Sequence, residues 1–329
     1  MNDRTRILVT GALGQIGSEL IVELRRRHGG GQVVAADIRE EVPEDFDDSG
    51  PFECCDVTDA ARLAELVQKH RVGRIVHLAA ILSATGEKNP GRAWEVNMGG
   101  LWNVLEVART RDLEQVLCPS SIAVFGPDAP KQQTPQVTWL QPTTMYGITK
   151  VAGELLCDYY FRRYGIDARG LRYPGIISHL TPPGGGTTDY AVEIFREAIR
   201  HRRYTCFVSA DTVLPMMYMP DCIRATIELM EAPIENLNFH GGYNVASMSF
   251  SAGELANEIR RHIPEFTCTY EPDERQGFAD SWPQSIDDRA AREDWGWMPE
   301  YNLASMTTDM LEKLRERATG LQEPQVGLR

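Results

Sequence analysis

Two residues four positions apart, Tyr146 and Lys150, carry side chains suited to acid–base chemistry. Residues at i and i+4 of a helix share one face, so the spacing predicts that these side chains lie close together. A free tyrosine, with a pKa of about 10, is a poor base near neutral pH, but a neighbouring ammonium favours the phenolate. Such pairs also arise by chance on surface helices. The position after a strand that ends in Ser120 and Ser121 favours a tyrosine general base.

Three glycines, Gly11, Gly14 and Gly17, follow a short apolar run. In a turn of this kind the first glycine permits a tight bend, the second admits a pyrophosphate, and the third lets the helix pack on the strand. Backbone amides at the helix start, around Gln15 and Ile16, then face the phosphates. A strand-to-helix turn can also be merely structural. The strand before it and the helix pattern after it favour nucleotide binding.

Acidic residues follow the next two strands. Asp37 lies 20 residues after Gly17, where a carboxylate binds the adenosine ribose hydroxyls and repels a 2′-phosphate, which predicts NAD over NADP. Arg39 is a competing signal because it could accept that phosphate, and Asp37 could also be a simple strand-end turn residue. Asp56 and Val57 are predicted to contact the adenine. The alternative for Asp56 is a cap for the following helix.

The chain has 329 residues, which predicts about two domains or one lobed unit. Its hydrophobic content of 42% and charged content of 25% exclude a disordered, collagen-like or disulfide-scaffold protein. The net charge of −13 argues against nucleic acid and anionic membranes as partners. The longest apolar stretch, around residues 75–82, is too short to span a bilayer and contains His77, which is predicted to be a core histidine.

Seven cysteines show no Cys-x-x-Cys pair, and no cluster of Cys and His has metal-ligand spacing. We therefore expect reduced thiols, no metal and a cytoplasmic protein. The first residues lead straight into a predicted strand, so no signal or transit peptide is expected.

Short β-branched runs alternate with longer helical patterns through the first half of the chain. Strands are predicted at residues 7–10, 33–37, 74–78, 115–119 and 168–173, and helices at 15–27, 59–70, 92–109 and 146–164. Thr58 is the expected N-cap of the second helix. This alternation predicts an α/β fold, a Rossmann-type doubly wound parallel sheet.

The alternation breaks near residues 182–186, which are rich in proline and glycine. Beyond them the predicted elements are a strand at 214–219 and helices at 188–200, 221–231 and 251–263, the last with a serine cap. We expect a smaller, partly interleaved C-terminal substrate lobe. The boundaries are residues 1–175 plus about 213–246 for the NAD-binding domain, and 176–212 and 247–329 for the lobe.

Taken together, these motifs resemble the extended short-chain dehydrogenase/reductase family, which includes UDP-galactose epimerase. The resemblance also covers residues 77–80, 120–126, 172–175 and 295–299, and thus nearly the whole chain. It implies a catalytic triad of Ser121, Tyr146 and Lys150, with Lys150 also holding the nicotinamide ribose. It further implies NAD contacts at Leu78, Ala79, Ala80, Asn97, Tyr146, Lys150, Tyr173 and Ile176.

Within that family, residues 173–178, 183–191, 214–218 and 280–283 resemble the short-chain L-threonine 3-dehydrogenase branch. This resemblance implies NAD-dependent oxidation of the threonine 3-hydroxyl to L-2-amino-3-oxobutanoate. Many sugar-nucleotide enzymes carry an acidic residue after an Arg-x-Gly stretch in the lobe. Here Phe278 follows Gly277, which weakens the epimerase interpretation.

An amino-acid substrate needs partners for a carboxylate and an ammonium. Thr187 and Thr188 at a predicted helix start could bind the carboxylate, and Asp189 could bind the ammonium, although all three are also ordinary helix-start residues. Ser83 is expected to line the same pocket, or to be simple loop polarity. Trp282 is expected to close over the substrate, or only to pack the lobe. Ser121 and Tyr146 would contact the substrate hydroxyl.

Two other functions remain open from the sequence. A sugar-nucleotide epimerase or dehydratase on the same scaffold would hold NAD tightly without net NADH production. A regulatory protein that senses NAD would bind it without turnover, but such proteins usually lack the tyrosine–lysine pair. By analogy with relatives that pair through the tyrosine-bearing helix, a homodimer is expected.

Overall fold

The chain folds around a parallel β-sheet, and its computed structural model describes residues 6–44, 46–181 and 184–320. The described residues form these strands: β1 (Arg6–Thr10), β2 (Val33–Asp37), β3 (Phe52–Cys54), β4 (Val72–His77), β5 (Gln115–Leu117), β6 (Ser120–Ser121), β7 (Asp167–Arg169), β8 (Leu171–Tyr173), β9 (Gly175–Ile177), β10 (Arg203–Cys206), β11 (Val213–Tyr218), β12 (Tyr243–Asn244), β13 (Met248–Ser251) and β14 (Thr267–Tyr270).

Helices connect most of these strands. They are α1 (Gln15–His28), α2 (Ala60–His70), α3 (Ser83–Lys88), α4 (Pro90–Trp94), α5 (Gly100–Arg111), α6 (Met145–Tyr164), α7 (Tyr190–His201), α8 (Met219–Glu231), α9 (Ala252–His262), α10 (Glu274–Ser281), α11 (Arg289–Trp295) and α12 (Leu303–Gly320). None of the described helices is long and apolar enough to cross a membrane. The expectations for residues 1–5 and for Pro182 and Pro183 lie outside the described residues.

Six strands form the main sheet in the order β3-β2-β1-β4-β5-β7, and every neighbouring pair is parallel. One face packs on α1 and α8, and the other packs on α2, α5 and α6. Burial on both faces explains why β1 and β2 are almost continuously apolar. The predicted Rossmann-type doubly wound fold is confirmed.

Within the described residues, three smaller sheets accompany the main sheet, in the orders β12-β8-β6, β13-β11-β9 and β10-β14. Helices α7, α9 and α12 enclose a second core that contains Phe195, Phe250 and Trp282. The chain enters this region after β9, returns at β11 and crosses again after β12. The capping box of Ser251 and Glu254 confirms the predicted serine cap of α9.

Several local predictions need correction. Asp59, not Thr58, caps α2, because its carboxylate accepts hydrogen bonds from the amides of Ala61 and Arg62. The single helix predicted for 92–109 is α4 and α5 joined by a π-helical turn at Glu95–Gly99. The strand predicted for 168–173 divides at Gly170 between two sheets.

Candidate active site

A cleft lies at the carboxyl ends of β1 and β4, where the strand order of the main sheet reverses. Open α/β sheets bind ligands at this point. Its wall includes these predicted site residues: Gly11, Gly14, Gln15, Ile16, Gly17, Leu78, Ala80, Ser83, Ser121, Tyr146, Lys150, Tyr173, Ile176, Thr187, Thr188, Asp189 and Trp282. An adjoining groove is lined by Gly11, Gly14, Asp37, Arg39, Asp56, Val57, Leu78, Ala79 and Ala80.

The glycine turn has the geometry that a dinucleotide requires. A Cβ atom on Gly11, whose φ is +71°, would lie 2.7 Å from the amide nitrogen of Ala79, and one on Gly17 would lie 2.3 Å from the Gly11 carbonyl oxygen. Helix α1 begins after Gly14 without a side-chain cap from the described residues. Among the described residues, the buried Nε2 atom of Gln15 also has no hydrogen-bond partner. These unsatisfied donors fit the phosphates of NAD.

Asp37 ends β2 at the edge of the groove. Its Oδ2 accepts a hydrogen bond from the amide of Leu13 at 3.0 Å, which ties it to the glycine turn. Its Oδ1 accepts from Nε of Arg39 at 3.1 Å, so the arginine is held by the carboxylate. Asp56 instead accepts bonds from the amide and hydroxyl of Thr58, at 2.9 and 2.7 Å, and therefore orders the turn before α2.

Helix α6 presents both acid–base residues from its first turns. Thr144 caps the helix by accepting a hydrogen bond from the amide of Gly147, which places Tyr146 at the cleft. The Nζ atom of Lys150 lies 5.5 Å from the centre of the Tyr146 ring and donates to the carbonyl of Pro119 at 2.7 Å. This arrangement puts a fixed positive charge beside the phenol.

Ser121 belongs to β6 rather than to the end of β5, and β6 pairs with β8. Its Oγ accepts a hydrogen bond from the amide of Ala123 at 3.2 Å. The hydroxyl hydrogen of Ser121 is therefore available to a ligand in the cleft.

Asn97 and His77 form hydrogen bonds with residues close to the cleft. Oδ1 of Asn97 accepts from the amide of Ile81 at 2.8 Å, and Nδ2 donates to the Ile81 carbonyl and the Thr149 hydroxyl, each at 3.1 Å. Asn97 is not among the residues that line the cleft or the adjoining groove. Its hydrogen bonds connect the loop after β4 to α6. His77 contacts the Thr10 hydroxyl at 2.8 Å. Burial, with the charge of Lys150, lowers the pKa of His77 to about 3, so it is a neutral core histidine.

The segment that precedes α7 brings the predicted substrate residues into the cleft. Thr187 and Ser83 are buried and hydrogen-bonded to each other at 3.1 Å. Oδ2 of Asp189 accepts from the amides of Gly185 and Gly186, at 2.8 Å each, and the Asp189 side chain does not cap the helix. Burial raises the pKa of Asp189, against the lowering effect of these two hydrogen bonds. Trp282 both lines the cleft and packs in the second core.

Ser120 and Glu154 were not predicted as site residues. Ser120 lines the cleft, and its hydroxyl donates to Glu154 at 2.5 Å. Glu154 also forms a buried ion pair with Arg172, whose Nε and Nη2 donate to Oε1 and Oε2 of Glu154 at 2.8 Å each. A signal was present in the sequence, because Glu154 lies four residues after Lys150 and therefore on the same helical face.

Comparisons with known proteins identify relatives of similar sequence and fold. A curated relative from Staphylococcus aureus, an uncharacterised epimerase/dehydratase, is 52% identical over 95% of this chain and 98% of its own. A GalE-like L-threonine dehydrogenase structure from Cupriavidus necator matches with a TM-score of 0.91 and 53% identity, over 94% of this chain and 99% of that one. A monomeric L-threonine 3-dehydrogenase from a metagenome has a TM-score of 0.91 and 52% identity over the same shares.

The model of the NAD-dependent epimerase/dehydratase family matches residues 7–246, which contain the glycine turn, the tyrosine–lysine pair and most of the cleft. The resemblance inferred from the motifs is therefore confirmed, and the chain belongs to the NAD-dependent epimerase/dehydratase family.

Proposed function

We propose that this protein is an NAD-dependent L-threonine 3-dehydrogenase, which oxidises the 3-hydroxyl of L-threonine to give L-2-amino-3-oxobutanoate. One structural observation carries the proposal. The cleft combines Tyr146 and Lys150 with a segment that offers both hydroxyl groups and a carboxylate, Thr187, Thr188 and Asp189. The proposal is supported by relatives that are named as L-threonine dehydrogenases and share 52–53% sequence identity with this chain over nearly its full length.

Tyr146 is the proposed general base and takes the proton of the substrate hydroxyl on its phenolate oxygen. The ammonium of Lys150, held by the Pro119 carbonyl, stabilises the phenolate and orients the cofactor ribose. The hydroxyl of Ser121 donates to the reacting oxygen and fixes its direction. When bound, the nicotinamide supplies the hydride acceptor.

Asp37 is the basis for NAD as the cofactor. A carboxylate at the end of β2 suits the two ribose hydroxyls and repels a 2′-phosphate. Arg39 is bound to that carboxylate, which holds its guanidinium back from a phosphate. The remaining cofactor contacts are proposed along the walls of the cleft and the adjoining groove, from the glycine turn to Tyr173 and Ile176.

The amino-acid groups of the substrate are assigned to the segment before α7. Oδ2 of Asp189 is used by the backbone of Gly185 and Gly186, so Oδ1 is the atom that we assign to the substrate ammonium. The hydroxyl of Thr188 is assigned to the carboxylate, because the amides of Ala191 and Val192 at the start of α7 already donate to backbone carbonyls. Ser83 and Trp282 would then shape the pocket around the methyl end.

The test is a panel of substrates with the purified protein, followed by NADH absorbance. L-threonine with NAD⁺ should give NADH. The analogue 3-hydroxybutyrate, which lacks the ammonium, should be a poor substrate because Oδ1 of Asp189 would have no ligand partner. UDP-galactose should give none. Conversion of UDP-galactose without net NADH, and no turnover of L-threonine, would replace this proposal with a sugar-nucleotide epimerase.

We also propose a homodimer. Apolar side chains on α5 and α6 face solvent, including Trp102 at 50%, Leu155 at 66% and Tyr159 at 50% exposure. Exposed apolar surface of this kind marks protein contacts. A cytoplasmic location fits the seven cysteines, all of which are free thiols.

A further inference from the structure

The chain between β9 and the substrate segment is anchored on the cofactor-binding helix α1. Ser178 is fully buried, and its hydroxyl donates to the carboxylate of Glu19. The same oxygen accepts from the amide of Leu180 at 3.0 Å. One residue earlier on α1, the hydroxyl of Ser18 contacts that of Thr181 at 3.0 Å. Adjacent residues of α1 therefore hold both ends of one short stretch.

Glu19 has no role in the proposed proton and hydride transfer, yet it is buried among several charged or titratable groups. Its neighbours with charge or titratable groups are Lys313 and Arg317 of α12, Tyr218 at the end of β11 and Cys222 of α8. Burial raises the pKa of Glu19 to about 7, although Ser178 and the two cations oppose the shift. A carboxyl group kept in such a place needs a partner, and Ser178 is that partner.

The far end of the same segment is also fixed. Asp189 closes the backbone at Gly185 and Gly186, and Thr187 is bound to Ser83. Gly186, Thr187, Thr188 and Asp189 line the cleft. Ser178 and these cleft-lining residues thus belong to one stretch of chain, with a buried contact to α1 at one end and the cleft at the other.

We propose that Glu19 is a positioning residue, which holds Ser178 and thereby fixes the substrate-binding segment relative to the helix that carries the glycine turn. The inference rests on the proposed threonine dehydrogenase function. It assigns substrate affinity, rather than the hydride step, to a residue that lies two positions beyond Gly17 in the cofactor-binding helix.

The first test compares KM for L-threonine in Glu19→Ala and Glu23→Ala. Loss of a buried hydrogen bond to a charged group should raise KM about tenfold in Glu19→Ala, with kcat and NAD⁺ affinity within about twofold of wild type. Glu23 lies on the same helix but pairs with Arg26 at the surface, so its variant should keep wild-type KM. Equal KM in both variants would overturn the proposal, as would a rise in Glu19→Ala matched by an equal loss of NAD⁺ affinity.

The conservative variant Glu19→Gln gives a pH-dependent readout. Near pH 6 the wild-type carboxyl is mostly protonated and resembles the amide, whereas near pH 8 it is ionised and its bond to Ser178 is charge-assisted. The ratio of the variant KM to the wild-type KM should therefore rise about threefold between these values. A ratio that does not change with pH would contradict the role of the carboxylate.

Two further measurements keep the test decisive. Ser178→Ala removes the same bond from the other side, so it should raise KM equally, and the double variant should add nothing. Hydrogen exchange at the amide of Leu180 and at residues 184–189, without ligand, should be faster in Glu19→Ala than in Glu23→Ala. Unchanged exchange overturns the inference. If wild-type protein fails to oxidise L-threonine, the proposed function fails, and exchange still decides whether Glu19 holds the segment.

Discussion

The phenol of Tyr146 is the residue on which the proposed chemistry depends. Tyr146→Phe removes only the ionisable oxygen, so the fold should persist while kcat falls about 10²–10⁴-fold. Steady-state kinetics with L-threonine measures this loss. Tyr164→Phe changes a half-exposed tyrosine at the end of the same helix and should have wild-type kcat. Native kcat in Tyr146→Phe would mean that another group takes the proton.

Asp37 is the residue that we expect to set the choice of cofactor. In Asp37→Ala the ribose hydroxyls lose a charged partner and Arg39 is released, so the preference for NAD⁺ over NADP⁺ should fall by about ten- to a hundredfold. The quantity to measure is the ratio of kcat/KM for the two cofactors. Equal use of NADP⁺ by the wild-type protein would contradict the assignment and would implicate Arg39.

The sequence predicted site residues best where local spacing determines position. Tyr146 and Lys150 share a helical face because they are four residues apart, and the glycine turn follows its strand directly. It could not predict that Asp189 would bind backbone amides, because that bond depends on how the glycine-rich chain folds back. The contact of Glu19 with Ser178 joins residues 159 positions apart, and no local pattern encodes such a pair.

Helix α6 is anchored to the sheet through Glu154, which binds both Arg172 and Ser120. Glu154→Ala would leave the Arg172 guanidinium buried without its carboxylate and should lower the free energy of unfolding by about 3–5 kcal/mol. Asp158, one turn later on the same helix, pairs with the exposed Arg162, so Asp158→Ala should cost at most about 1 kcal/mol. Denaturant unfolding of both variants tests this, and similar losses in the two would refute the asymmetry.

The periodic patterns located most helices and central strands within a few residues, because burial on one or both faces imposes a period. The exceptions have tertiary causes. Between β7 and β8 the chain passes from one sheet to another at Gly170, where a Cβ atom would lie 2.2 Å from the Gly241 carbonyl oxygen. The π-helical turn at Glu95–Gly99 brings Asn97 to Ile81 and Thr149, partners that the sequence pattern alone does not reveal.

At the scale of the whole molecule, the exposed face of α5 and α6 predicts self-association. Leu155→Glu places a charge on that face and should convert a dimer to a monomer in sedimentation or size-exclusion experiments. Val137→Glu, which alters an equally exposed side chain in a loop, should leave the dimer intact. A monomeric wild-type protein, like the metagenomic relative, would refute the dimer.

Glu19 also makes the stability of the molecule depend on pH. Its pKa is about 7 in the folded protein against an ordinary 4.5, so between these values the native state holds a proton that the unfolded state releases. Stability should therefore fall as pH rises through this window. In Glu19→Gln the fall in unfolding free energy should be smaller. Glu23→Gln is the control, because the pKa of Glu23, lowered to about 2 mainly by its bond to Arg26, keeps it ionised throughout. Parallel stability curves for wild type and Glu19→Gln would contradict the prediction.

The repeated crossing of the chain between its sheets has a consequence for biosynthesis. All six strands of the main sheet, and the residues Ser121, Tyr146 and Lys150, have been synthesised once β7 is complete. At that point β8 would still lack its neighbour β12, and β9 would lack its neighbour β11. Trp282, which lines the cleft, is synthesised later still. Domains fold in the order of synthesis. We therefore expect that the nascent chain contains the proposed catalytic residues early but stays inactive until its last hundred residues are translated.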